Sequence, residues 1–287
     1  MIGFSESGQG EGDSQKLARE MKTFFSASGA LSGSPDFEYR PEQQEMAVCV
    51  AEALEGRRPL VIEAGTGVGK SLAYLIPAVE YALAHGKKAI ISTHTINLQE
   101  QLVQKDIPIV STALGKEFNY VLYKGRGNYL CPMRLKAAMR QTRDLFSGGE
   151  EAQLQEIQKW SLKTKDGSLS DLPFTPYPSV WAQVRSEPFL CSRRRCRGAH
   201  CFYQDLRRRV DEAHLVVMNH TLFFSVMASL EEMPDEESEG FLFPNDFVIF
   251  DEAHTLENVA ARQLGLNLSQ TGAAFDLHRL FHPKKGR

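Results

Sequence analysis

Apolar residues along this chain alternate between two periods. Five short apolar runs, PLVIE (59–63), KAIIST (88–93), YVLY (120–123), LVVMN (215–219) and FVIF (247–250), have the length and composition of buried strands. Between them the spacing is helical. Leu17, Met21 and Phe24 share one face of a short helix over 15–25, and Glu42 to Leu54 continues the pattern with Pro41 near its first turn. SLAYLIPAVEYALAHG (71–86) places Leu72, Leu75, Ile76, Val79 and Leu83 on one face, with a kink expected at Pro77, and NLQEQLVQ (97–104) is helical again. Short apolar strands alternating with helices predict the α/β class, with a parallel sheet covered on both faces.

The rhythm stops between about 124 and 205. Four of the five cysteines and both tryptophans lie in that stretch, which reads as an insertion into the α/β domain. Residues 1–13 are expected to form a mobile tail, and the acidic segment LEEMPDEESEGF (230–241) a solvated loop.

Composition adds little beyond class. Hydrophobic residues make up 42% and charged residues 24% of 287, as in a globular protein with a real core. No apolar run approaches the roughly 20 residues that span a bilayer, and the N-terminus lacks secretory features, so the expectation is a cytoplasmic protein without a membrane partner. A net charge of −3 gives no whole-molecule attraction for a polyanion. Any nucleic-acid surface would be local, at SRRRCRG (192–198) or LRRRV (206–210), which read equally well as solvated surface.

The strongest chemical signal is EAGTGVGKS (63–71), which follows an apolar run and opens an amphipathic helix. That is the context of a phosphate-binding loop built from Ala64, Gly65, Thr66, Gly67, Val68 and Gly69. Backbone N–H groups from Thr66 to Ser71 can wrap a phosphate at the positive end of the helix, and glycines at 67 and 69 let the backbone approach closely. Lys70 would reach the β- and γ-phosphates of ATP, and the Ser71 hydroxyl would ligate Mg²⁺.

The quartet DEAH occurs twice, at 211–214 and 251–254. A magnesium-binding carboxylate belongs at the end of a buried strand beside the phosphate loop. FVIF leads directly into the second copy, so Asp251 is assigned to Mg²⁺, Glu252 to the attacking water and His254 to a link with neighbouring elements. The first copy precedes its apolar run, which puts Asp211 and Glu212 on a helix end as surface carboxylates.

Cys191, Cys196 and Cys201 are spaced C-x4-C-x4-C, with Cys131 far upstream; Cys49 lies in an apolar helical pattern as a core thiol. This spacing leaves both an iron–sulfur cluster and zinc open, with the dispersed pattern favouring the cluster. His200 is expected to be exposed rather than ligating.

Together these motifs resemble the iron–sulfur DNA helicases of the XPD/DinG type, superfamily 2, from about Phe24 to the C-terminus. FEYRPEQQEMA (37–47) is similar to the family's base-reading element, EAGTGVGKS and VIFDEAH to motifs I and II, STHTINLQEQL (92–102) to motif Ia, and KGRGNYLC (124–131) to the approach to the first cluster cysteine. HLVVMNHTLF (214–223) is similar to the strand after the cluster, ending in Asn219 and His220. The resemblance implies a RecA-like P-loop NTPase lobe, interrupted by an iron–sulfur insertion. Its parts would be a tail (1–23), a first part of the lobe (24–123), the insertion (124–205), a second part (206–262) and the start of an arch insertion (263–287). It implies that Gln43 reads adenine and that Cys131, Cys191, Cys196 and Cys201 hold one [4Fe–4S] cluster, stapling a core-poor insertion. It further implies that Thr93, Arg193, Arg194 and Arg195 contact DNA; Tyr129 or Phe202 could offer stacking or equally well pack beside the cluster. The implied activity is 5′–3′ ATP-dependent unwinding on single-stranded or forked DNA. No second-lobe motif is present, so the chain reads as an N-terminal fragment, or an open reading frame split from its second half, with the second lobe in the same gene or a separate chain; a non-unwinding nucleotide- and DNA-binding module or inactive fragment is the alternative.

Overall fold

A computed structural model describes residues 15–33, 38–140, 148–187, 200–231 and 246–265, with Gln270 and Leu277. The expected tail at 1–13, most of the acidic loop, most of the arch start, Cys191, Cys196 and Arg193 to Arg195 lie outside the described residues.

Four strands, β1 (Ala89–Thr93), β2 (Tyr120–Leu122), β3 (Leu215–Asn219) and β4 (Phe247–Phe250), form one parallel sheet in the order β2-β3-β1-β4. Ala89 lies opposite both Leu215 and Phe247, so the strands end together on one side, at Thr93, Asn219 and Phe250. Alternation then sorts their side chains. Ala89, Ile91, Leu215 and Val217 enter one core with Phe247 and Ile249 packed against it, while Ile90, Val121, Val216 and Met218 enter a second. Burial on both faces explains why these strands read as continuous apolar runs.

The first face is covered by α1 (Lys16–Phe24), α2 (Pro41–Glu55) and α3 (Lys70–His85). Then α4 (Ile96–Gln101) passes through a π-helical turn at Leu102–Asp106 into α5 (Ile107–Leu114), which completes that layer. Helix α3 continues through Pro77, which lacks an N–H for the preceding turn. On the second face lie α6 (Pro132–Arg140), α7 (Gly148–Ser161), α8 (Pro178–Val184), α9 (Phe202–Asp211) and α10 (His220–Glu231). Helix α11 (Leu256–Leu264) follows β4 and packs on α10, where Ser225 Oγ donates to Gln263 Oε1 at 3.0 Å.

Two expectations are corrected. The insertion is not poor in core: Tyr129, Leu130, Leu154, Ile157, Val180 and Val184 are buried and continuous with the second face of the sheet. Their backbone is tied as well, since Cys131 N–H donates to Val184 O at 2.8 Å and Ser186 N–H to Tyr129 O at 2.7 Å. Arg134 forks onto the carbonyls of Arg185 and Ala182 at 2.8 and 2.9 Å, closing the end of α8. This core is assembled from residues scattered over separate helices, so no local run announces it. The second correction concerns PLVIE, which is not a strand. Leu60, Val61 and Ile62 are 43%, 97% and 37% exposed, and among the described residues β4 pairs only with β1. An apolar run becomes a strand only where a neighbouring strand accepts its hydrogen bonds.

Unfolding by urea should separate these two kinds of apolar residue. Val61→Lys is expected to change stability by no more than about 0.5 kcal/mol, because nothing packs on Val61. Ile91→Ala, in the fully buried centre of β1, should cost about 2–5 kcal/mol. A Val61→Lys loss as large as that of Ile91→Ala would mean that the segment is packed.

Candidate nucleotide site

The glycine-rich loop runs into α3, whose N-cap is Gly69. Gly67 and Gly69 both have φ of +83°, a left-handed conformation that side chains resist. At Gly69 a second constraint applies: a Cβ there would sit 2.2 Å from Gln43 Nε2. Gln43, buried at the start of α2, donates from Nε2 to Gly69 O at 3.0 Å. The Arg40 guanidinium, paired with Glu38 at 2.9 Å, donates to Gly67 O. In a trans peptide the carbonyl and the following N–H point in opposite directions. Anchoring these two carbonyls toward α2 therefore turns the amides of Val68 and Lys70 away from it. Lys70 Nζ lies across the loop, 3.4 Å from Ala64 O.

Asp251 follows β4 directly, and its N–H donates to Ser92 O at 2.8 Å, extending the pairing with β1 past the strand end. Burial raises its carboxyl pKa, as does neighbouring Glu252, while the Lys70 charge opposes both. Loop lysine and strand-end acid are thus electrostatic neighbours. The buried Tyr74 hydroxyl faces Asp251, Ser71 and Asp106 without a hydrogen bond of normal geometry, and burial pushes its pKa well up. Glu252 holds φ of +56°, strained for a residue with a side chain. Exposed His254 lies with Nδ1 3.4 Å from Glu252 Oε2.

The first DEAH is at the other end of the sheet. Asp211 ends α9, Asp211 and Glu212 are exposed, and His214 Nδ1 accepts from Asn119 N–H at 3.1 Å, just before β3 begins. It is a cap between a helix and a strand, remote from the loop end.

Sequence reasoning missed Asp106. It is buried in the π-helical turn with Oδ2 unpaired, and burial raises its carboxyl pKa while nearby Ser71 opposes the rise. Read linearly, QLVQKDIPI offers no signal beyond an acid on a helix; the irregular turn is what directs it inward. Thr93 is also fully buried, with Oγ1 unpaired, so the exposed groups at that strand end are His94 and Thr95. Tyr129 and Phe202 are buried, which favours packing over stacking on a base, the two readings left open for them. His200 is exposed, with Nδ1 2.8 Å from Asp205 Oδ2.

Cys131 and Cys201 are both buried, and each supplies the carbonyl that opens a helix, to Leu135 N–H and Asp205 N–H at 2.9 Å. These two thiols are candidates to hold a metal–sulfur group. Among the described residues no three His, Cys, Asp or Glu side chains converge as a metal site.

Residues 40–134 match the DEAD/DEAH box helicase family, a span that includes the loop and β1. The chain is 38% identical over 262 residues to the ATP-dependent DNA helicase YoaA of Haemophilus influenzae, covering 90% of this chain and 39% of that protein. It is 39% identical over 253 residues to YoaA of Escherichia coli (85% and 38%) and 32% over 268 residues to the ATP-dependent DNA helicase DinG of Photobacterium profundum (84% and 36%). The chain is thus similar over most of its length to the YoaA and DinG helicases, residues 40–134 carry the DEAD/DEAH box helicase match, and its parallel sheet fits the RecA-like α/β fold. It spans about two fifths of the length of these curated relatives. No described helix is long and apolar enough to cross a membrane.

Asp251 carries a testable cost. Its pKa is raised on folding, so the folded state holds a proton that the unfolded chain releases, and stability falls as pH rises from the unfolded value through the raised one. Asp251→Asn removes this penalty. Without ligand it should raise Tm near pH 7 by roughly 2–4 °C per kcal/mol of repulsion relieved. The same variant should lose magnesium-dependent nucleotide binding; calorimetry with and without Mg·ATP checks both.

Proposed function

We propose that this homologue of the YoaA and DinG helicases is the first motor lobe of an ATP-dependent DNA helicase, working 5′ to 3′ on single-stranded or forked DNA. The observation that supports the reading is that Asp251, at the carboxyl end of β4, feels the charge of Lys70 at the start of α3. In α/β sheets that is where ligands bind.

In this reading the amides from Thr66 to Ser71 hold the β-phosphate and Lys70 neutralises the β- and γ-phosphates. Ser71 and Asp251 would hold Mg²⁺, which supplies charge neutralisation to the transferring phosphoryl group. Glu252 orients the attacking water, and His254 beside it links that carboxylate to its surroundings. Gln43, whose Nε2 donates to the Gly69 carbonyl, would also read adenine. A second lobe, outside this chain, would supply arginines to the transition state.

The insertion is read as holding a [4Fe–4S] cluster through Cys131, Cys191, Cys196 and Cys201, which would supply a rigid metal–thiolate crosslink. Because the described part of the insertion already has an apolar core, the crosslink would fix the segment carrying Arg193, Arg194 and Arg195 rather than fold the whole insertion. Those arginines would meet DNA phosphates. The buried Thr93 would act through its backbone and exposed neighbours.

Nucleotide binding, single-strand-stimulated hydrolysis and elemental analysis test these assignments. Weak binding of Mg·ATP and slow hydrolysis are expected from this chain, with binding falling at least about tenfold in Lys70→Ala, a loss of ~1.4 kcal/mol. Iron and sulfide should be present, and Cys196→Ser should release iron and weaken single-strand binding. Zinc in place of iron, or hydrolysis indifferent to Lys70, would overturn the reading.

A further inference from the structure

Three strand ends meet beside the nucleotide site, and one side chain joins them. His220, the first residue of α10, is fully buried, and its Nδ1 lies 2.7 Å from Ser92 Oγ. Ser92 is fully buried too, and its carbonyl accepts the N–H of Asp251 at 2.8 Å. One serine therefore holds the magnesium-side turn through its backbone and His220 through its hydroxyl. The imidazole also feels the backbone of Asp251 and Glu252, and its ring lies 6.0 Å from Phe250 and 6.4 Å from exposed His94, nearly parallel to the latter. On β3, Asn219 is aligned with Thr93 and accepts Leu222 N–H at 2.8 Å, fixing the start of α10.

Packing alone does not explain a histidine here. An apolar side chain would fill the site without a desolvation cost, yet His220 keeps a buried Nε2 against the backbone of Asp251 and Glu252 without a hydrogen bond of normal geometry, and Thr93 Oγ1 is buried without one too. A buried imidazole without a hydrogen bond of normal geometry at Nε2, next to strained Glu252, marks a junction able to adopt a second hydrogen-bonding arrangement when the Asp251–Glu252 turn moves.

Resting on the motor reading above, we propose that His220 is a positioning residue. Through Ser92 it ties the Asp251–Glu252 turn to the strand end at Thr93–His94, so that nucleotide occupancy changes affinity for single-stranded DNA. Nothing in this role requires His220 to touch either ligand. Reciprocity follows from linkage: if nucleotide alters DNA affinity through this tie, DNA alters nucleotide affinity by the same factor.

The test measures a ratio in this chain: affinity for a labelled single-stranded oligonucleotide with and without saturating ADP·Mg²⁺. The wild-type ratio should differ from unity by about 5-fold or more, the usual lower range of coupling between sites. In Ser92→Ala/His220→Phe both partners become apolar, so neither is left unpaired, and Tm and ADP·Mg²⁺ affinity should stay close to wild type. Its ratio should nonetheless fall to near 1, and His220→Asn, which keeps a polar atom toward Ser92, should restore part of it. If the double variant does not fold, Ser92→Ala alone decides: loss of the ratio supports the role, and retention overturns it. A folded double variant with the wild-type ratio, or a wild-type ratio of 1, overturns the inference while leaving the motor reading intact. A wild-type chain that binds neither ligand overturns the motor reading itself.

Discussion

The hydrogen bond from Asp251 N–H to Ser92 O is the constraint on which the site depends. Without it β4 would be released at Phe250 and the next residue would be free to wander. With it, the acid is held in register with β1 for one residue beyond the strand, at the side where α3 brings Lys70. The parallel arrangement does the rest, since every strand ends on that side and the elements leaving those ends converge. The arrangement is costly: half-buried Asp251 and buried Asp106 have raised pKa values, and Tyr74 and His220 hold buried polar atoms without a hydrogen bond of normal geometry. Such groups are tolerated where a ligand or a moving element uses them.

Much of the sheet was legible because its strands are buried on both faces. LVVMN and FVIF coincide with β3 and β4, KAIIST contains β1, and YVLY contains β2. The same signal failed at PLVIE, where composition is right but no neighbouring strand receives the ladder. Helices with long apolar faces were equally readable, as with α3 over Lys70–His85. The insertion was not, because Leu154, Trp181 and Tyr129 find each other only in three dimensions.

At the site, position relative to a strand separated the two DEAH quartets before any coordinates. FVIF runs into Asp251, while Asp211 ends a helix and LVVMN begins only after His214. Gln43 and the loop glycines were legible as a motif, but the reason for glycine at 69 was not: the Gln43 amide occupies the space a Cβ would need. Asp106 carries no linear signature, and although Ser92 and His220 each lie in a family-like stretch, nothing in the sequence pairs them. Their roles come from a π-helical turn and from strand ends brought together across 128 positions of sequence.

The most direct measurement of the central claim is a crystal structure of this chain with Mg²⁺ and a non-hydrolysable ATP analogue. The account requires the phosphates on the amides of Thr66 to Ser71, with the metal between the Ser71 hydroxyl and the Asp251 carboxylate. Phosphates bound elsewhere, or a metal held without Asp251, would contradict it.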